Sequence, residues 1–369
     1  MSKRIEFANT IRGVASMVVM LAHYIISFNA FSGGYGGLPK IEGGVFDYAS
    51  GLLGFGMPSF SYGAFGVALF FLVSGFVIPL SLTKLTTQRY GILAFIVSRV
   101  LRIWPVYVIG FSISMLFRWL SFNGSELSDA YNMYDVIYHL TLFRDWIGGM
   151  PLDGVGWTLE IEIKFYLLSA IFAYATVKGK QYITIVAMAG AFAGYYFGVQ
   201  TPIYFIFPHS ILYCFQFILF MTIGTNLYLL YAGVISKNKA ILWIGVSLGS
   251  FIYVCPPDSK VGYLVAFLVF LSCYVARDSF NGGTITSFFA KISYPMYVVH
   301  ALFGYVTMWY MINLGLNTYV ALILQILMTI SISYLMHLYV EIPSQKYGKI
   351  ASDFITGRRK VIPASMAVS

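Results

Sequence analysis

The chain has 369 residues, 59% of them hydrophobic and only 10% charged, against about 25% charged in an ordinary soluble domain. That balance excludes a water-facing globule and makes the bilayer part of the solvent. The three cysteines, Cys214, Cys255 and Cys273, are scattered without a CxxC pair, which gives no sign of a disulfide framework or a cysteine metal site.

A membrane span needs about 20 mostly apolar residues. In chain order, the apolar stretches that meet this need lie at 9–28, 62–83, 100–121, 157–177, 181–198, 210–231, 239–255, 261–276, 293–313 and 318–340. The sequence therefore predicts an all-α integral membrane protein, a bundle of about ten transmembrane helices. Lys3 and Arg4 precede the first stretch, and no small-residue cleavage site follows it at the right distance, so it reads as an uncleaved span. An even number of spans with both termini cytoplasmic puts 18 of the 23 basic residues on the inside, as the positive-inside rule asks. The net charge of +9 is then a topological signal and no nucleic-acid footprint. The two long outer segments, roughly 29–61 and 122–156, are expected to cap a site on the outer face. Residues 1–343 read as one transmembrane domain and 344–369 as a short basic cytoplasmic tail, with no internal repeat and no added soluble domain.

Ionisable residues inside spans are costly and mark function. His23 lies some 18 Å along the first span at about 1.5 Å per residue, either as a hydrogen-bonded bundle histidine or as a catalytic one. Glu160 and Glu162 point about 200° apart on a helix; Glu160 can pair with Lys164 one turn on, which leaves Glu162 to face the interior at a depth similar to His23. A carboxylate there would fix the tautomer of His23 for general-base catalysis. Arg99 and Arg102, three apart, share a helical face and read either as inside-loop positives or as a fork for phosphate or carboxylate. His300 reads first as a satisfied core histidine. His139, His209 and His337 attract no role, and HExxH, P-loop and GxSxG motifs are absent.

Taken together these patterns are familiar. Arg12-Gly13-Val14-Ala15 followed by His23 resembles the opening motif of the acyltransferase family 3 membrane proteins. Phe70-Phe71-Leu72-Val73-Ser74-Gly75-Phe76 resembles that family's FFxxSGF signature. Arg99-x-x-Arg102, Trp157-Thr158-Leu159-x-x-Glu162-x-x-Phe165-Tyr166, Ser293-Tyr294 with His300, and Glu341-x-Pro343 follow in the family's order. The resemblance covers nearly the whole chain. It departs where many members carry an Asp-Gly pair and this chain has Asn9-Thr10. Some relatives carry an esterase-like domain after the last span; here a second transfer step would need another protein.

The resemblance implies transfer of an acyl group, usually acetyl from acetyl-CoA as cosubstrate, to a sugar hydroxyl beyond the bacterial inner membrane. No metal is expected. The acceptor would be a polysaccharide or lipid-linked glycan, with O-antigen or exopolysaccharide favoured. Arg99, Arg102 and Arg12 would hold the donor at the inner face, and His23, oriented by Glu162, would take the acceptor proton. Ser74, Tyr297 and His300 are candidate oxyanion or acceptor contacts, and direct transfer and an acyl-His23 intermediate both stay open. The rival from another class is a transporter or flippase for a lipid-linked sugar, with His23 and Glu162 as a proton relay. A sensory or scaffold protein is a weaker third.

Overall fold

The computed structural model describes residues 6–29, 41, 60–122, 133–147, 152–197 and 209–358. Most of the outer segment 29–61, part of 122–156, and the basic residues Lys3, Arg4, Lys40, Arg359 and Lys360 lie outside the described residues. The described residues contain helices and no strand. In chain order they are α1 (Glu6–Ala22), continued by a π turn (His23–Ser27), α2 (Tyr62–Leu85), α3 (Gly91–Phe122), α4 (Met133–Thr141), α5 (Arg144–Ile147), α6 (Gly156–Ile171), α7 (Ala173–Val177), α8 (Tyr182–Tyr196), α9 (His209–Tyr231), α10 (Lys237–Val254), α11 (Pro257–Val275), α12 (Thr284–Val299), α13 (Leu302–Asn313) and α14 (Thr318–Met336). A second π turn (His337–Glu341) joins α14 to α15 (Ile342–Ile355).

The described part of each stretch proposed as a span is mainly helical, with breaks at Phe172 and at His300–Ala301. Among the described residues, six continuous helices are long and apolar enough to cross a membrane: Glu6–Ser27, Tyr62–Leu85, Gly91–Ser121, Ile211–Tyr231, Pro257–Val275 and Thr318–Ile355. Polarity is arranged inside out. Leu116, Leu120, Ile241, Leu242, Ile323 and Leu327 are exposed, whereas Thr222, Asn226, Ser247, Gln325 and Thr329 are buried. This is the pattern of a helix bundle held by interhelical hydrogen bonds in lipid. Tyr24 of the first π turn meets Thr329 Oγ1 at 2.6 Å, and Gln325 Nε2 donates to Thr329 Oγ1 at 3.1 Å.

Three boundaries differ from the sequence reading, and the first two bear on site residues. The third span starts at Gly91, nine residues early, so Arg99 joins Arg102 inside α3. The ninth begins at Thr284, which puts His300 at its C-terminal end, where α12 breaks before α13. The last helix runs on to Ile355. A Cβ built on Gly348 of α15 would stand 3.4 Å from the Leu101 Cβ of α3, so residues beyond 343 pack on the bundle. Hydropathy detects the apolar middle of a helix; amphipathic first and last turns carry polar residues and are read short.

The bundle turns about the crossing of α2 and α9. A Cβ on Gly75 would lie 2.0 Å from the Met221 carbonyl oxygen, and one on Gly224 would lie 2.3 Å from that of Leu72. Thr225 Oγ1 donates to the Gly75 carbonyl at 3.1 Å. Only glycine lets the backbones approach so closely, which is the local reason for the Gly in Phe70–Phe76. Gly75→Ala should therefore lower the thermal stability of the detergent-solubilised protein by about 1–3 kcal/mol, read as a lower melting temperature. An unchanged melting temperature would mean that α2 and α9 do not touch there.

Candidate functional site

One cavity of about 280 Å³ opens between α1, α2, α3, α6 and α12. One end is polar and basic. Arg12 of α1, Arg99 and Arg102 of α3 and Glu162 of α6 all line it, so three guanidiniums face a single carboxylate. Arg99 Nη2 donates to Ser81 Oγ at 2.6 Å, and its guanidinium lies 5.5 Å from the Tyr166 ring centroid. Glu162 accepts from Ser74 Oγ at 2.9 Å and from the Tyr166 hydroxyl. Behind Arg12, Glu341 of the second π turn interacts with it electrostatically. Glu341 is itself held by His337 Nδ1 at 2.7 Å and Gln345 Nε2 at 2.9 Å. The i, i+3 spacing of Arg99 and Arg102 puts both on the same cavity.

The other end of the cavity is lined by Phe70, Thr158 and Tyr297, and Tyr297 is tied to Thr158 by a 2.5 Å hydrogen bond between their hydroxyls. Just beyond lie two histidines. His300 packs against Tyr297 with ring centroids 5.5 Å apart and edge-on against His23 at 4.8 Å. His23 opens the first π turn, a local widening of the helix that often marks functional positions. Its Nδ1 is 2.5 Å from the Tyr305 hydroxyl, either group being able to donate.

The structure separates two residues that the sequence reading joined. Among the described residues Glu162 makes no hydrogen bond to His23; its partners are Ser74 and Tyr166, and it stands with the arginines. The physical reason is charge: a carboxylate in a low-dielectric bundle is stabilised by guanidiniums, and α6 carries it toward them. Tyr305 occupies the position beside His23 that Glu162 was expected to fill. Lys164 Nζ reaches Glu160 through its backbone carbonyl, at 3.2 Å, and the Glu160 carboxylate has a closer partner. It receives Arg144 Nε at 3.0 Å and Nη2 at 2.7 Å, while Lys164 Nζ donates to Asp145 Oδ2 at 2.6 Å. Ser74 spends its hydroxyl on Glu162. His300, read first as a satisfied core histidine, is buried with its Nε2 lacking a hydrogen-bond partner among the described residues.

Several residues were missed. Arg144 and Asp145 form the buried ion pairs of α5 with α6. Their signal was present, as adjacent opposite charges beside Trp146 in an apolar outer segment. Burial disfavours the charged form of Arg144, but the Glu160, Asp153 and Asp145 carboxylates more than offset it, and its pKa lies above the ordinary value. His139, assigned no role, is a structural clamp: its Nε2 accepts the Leu152 N–H at 2.7 Å, its ring stacks on Phe111 at 5.0 Å, and its Nδ1 faces the Tyr107 hydroxyl at 3.2 Å. Tyr107 also donates to Asp153 Oδ2 at 3.1 Å, and Asp153 Oδ1 accepts the N–H of Gly156, the first residue of α6, at 2.8 Å. These bonds hold residues 152–156 beside His23; a Cβ on Gly154 would stand 4.0 Å from His23 Cε1. His337 braces Glu341, and the side chain of His209 lies outside the described residues. No group of three metal-ligating side chains occurs among the described residues.

A family model described as an acyltransferase domain, Acyl_transf_3, matches residues 5–338. The chain belongs to this family. The resemblance drawn from the motifs is thereby shown, and the acyltransferase is a membrane protein built on helices long enough to span the bilayer. Nodulation protein 10 of Rhizobium leguminosarum bv. viciae is similar, at 31% identity over 122 residues, 29% of this chain and 32% of that protein. The match thus spans about a third of that relative's length. No solved structure matches. Family membership supports acyl-group transfer and an acyl donor in general terms.

The α5–α6 ion pairs generate a stability prediction. Arg144→Gln leaves Glu160 buried without its bidentate partner and should cost about 3–5 kcal/mol, measured by thermal or denaturant unfolding in detergent. Arg144→Gln with Glu160→Gln should recover most of the loss. Equal losses in the single and double variants would show that the charges are not coupled.

Proposed function

We propose that this acyltransferase is a transmembrane O-acyltransferase that moves an acetyl group from cytoplasmic acetyl-CoA to a hydroxyl of a surface polysaccharide sugar, O-antigen or exopolysaccharide, on the periplasmic side of a bacterial inner membrane. The observation that carries this reading is polarity along one path: three arginines at one end of a cavity and two histidines beyond the other. The proposed topology has ten spans with both termini inside, and it follows from the distribution of basic residues. Residues 1–343 form the transmembrane body, and the basic segment 344–369 stays at the cytoplasmic face.

The residues present fit such a donor. Arg12, Arg99 and Arg102 offer bidentate donors for anionic phosphates, and Glu162 holds the set in register through Ser74 and Tyr166. Above them Val67, Phe70, Phe71 and Val73 make an apolar sleeve suited to a slender uncharged arm. At the far end His23 donates its Nδ1 proton to the Tyr305 oxygen, which leaves Nε2 as the base. As the acceptor oxygen attacks the thioester carbonyl, its proton passes to Nε2, the new C–O bond forms, and the C–S bond breaks with its electron pair on sulfur. The Tyr297 hydroxyl closes the end of the sleeve through its bonds to Thr158 Oγ1 and the Val155 carbonyl. The orienting function sketched for Glu162 passes in this scheme to Tyr305.

Purified wild-type protein in nanodiscs is expected to release free thiol from acetyl-CoA and to acetylate the host's extracted surface glycan. His23→Ala should reduce turnover by about 100-fold or more while the protein still folds. Arg99→Ala and Arg102→Ala should raise the KM for acetyl-CoA before they change turnover. Sugar counterflow without any dependence on CoA would replace this reading with a carrier.

A further inference from the structure

The tautomer of buried His300 is fixed by its surroundings. Its Nδ1 lies 2.8 Å from the Tyr297 carbonyl and 3.1 Å from that of Met296. Carbonyl oxygens only accept, so Nδ1 carries the proton and Nε2 carries a lone pair. That nitrogen is buried and has no hydrogen-bond partner among the described residues. Leaving a buried polar atom unsatisfied costs about 1–3 kcal/mol, and such exceptions in a folded protein call for a reason. Its place in the fold supplies one. The α12 helix ends at Val299, and the carbonyls of its last turn accept the His300 ring. The ring is thereby fixed between Tyr297, which lines the far end of the cavity, and His23.

We infer that His300 is a second acid–base residue of the transfer reaction, carrying a proton between His23 and the leaving sulfur. The inference rests on the acyl-transfer reading above. The acceptor hydroxyl gives its proton to His23 as its oxygen bonds to the carbonyl carbon. His23 passes that proton to His300 Nε2, and His300 delivers it to the thiolate released when the C–S bond breaks. One proton has moved from oxygen to sulfur, both imidazoles end neutral, and no other reactant is needed. The Nδ1–H bonds to Tyr297 and Met296 keep the ring from turning, so Nε2 is the single nitrogen through which the proton enters and leaves.

The test uses the full-length protein in nanodiscs with acetyl-CoA and the host's extracted surface glycan, measuring thiol release. His300→Asn keeps an N–H donor for the carbonyls but has no titratable nitrogen. It should lower kcat about 100-fold with the KM for acetyl-CoA unchanged. His300→Ala should be similarly slow and should recover when free imidazole is added, whereas His300→Asn, its space filled, should not. A kcat for His300→Asn within about threefold of wild type, well short of a general acid–base loss, overturns the relay and makes the ring a packing group. So does a His300→Ala protein that binds acetyl-CoA normally and gains nothing from imidazole. A wild-type protein that releases no thiol overturns acyl transfer itself, an outcome distinct from either variant result.

Discussion

Every ionised side chain inside this bundle must be compensated locally, because a lipid-embedded interior returns little of the hydration that burial removes. The structure meets that constraint in separate places. Arg144 with Glu160 and Lys164 with Asp145 neutralise one another between α5 and α6. His337, Gln345 and Glu341 form a second group at the join of α14 and α15. The third is the cavity, where three arginines share Glu162. The first is closed, and the second reaches Arg12 of the cavity through Glu341. The third keeps an excess of positive charge in a space large enough to admit a ligand, and that difference separates a site from a brace.

The same logic explains the histidine end. Neutral imidazoles need no counter-ion, so His23 and His300 can sit against one another and against tyrosines with no carboxylate in their hydrogen-bond shell. Their surroundings set direction: a π turn swings His23 out of its helix, and a helix break lets backbone carbonyls hold His300. Backbone irregularity at membrane depth is tolerated where neighbouring groups satisfy it, and here it coincides with the two histidines of the proposed reaction.

Much of this was legible in the sequence because hydropathy and charge act over whole segments. The apolar helices and the shared face of Arg99 and Arg102 follow from spacing and from the cost of charge in lipid. Partner choice was not legible, because it depends on which helix lies opposite. Glu162 was assigned to His23 from similar depth alone, and depth along an axis says nothing about azimuth around the bundle. Glu160 was assigned to Lys164 by helical spacing, yet the stronger partner, Arg144, comes from a segment whose fold no periodicity announces. The vacancy at His300 Nε2 was hidden for the same reason: satisfaction of a buried atom is a property of three dimensions.

Among the described residues, the lining of the cavity includes the hydrogen-bonded pair of Tyr297 and Thr158 and does not include His23. In a membrane that maintains an ion gradient, a water-filled passage joining the arginines to the opposite face would short-circuit that gradient at every turnover. In the proposed transfer the packed Tyr297–Thr158 contact acts as an insulating plug, admitting a reactive carbon to the histidine end while excluding bulk water, so that two compartments are joined chemically and kept electrically apart.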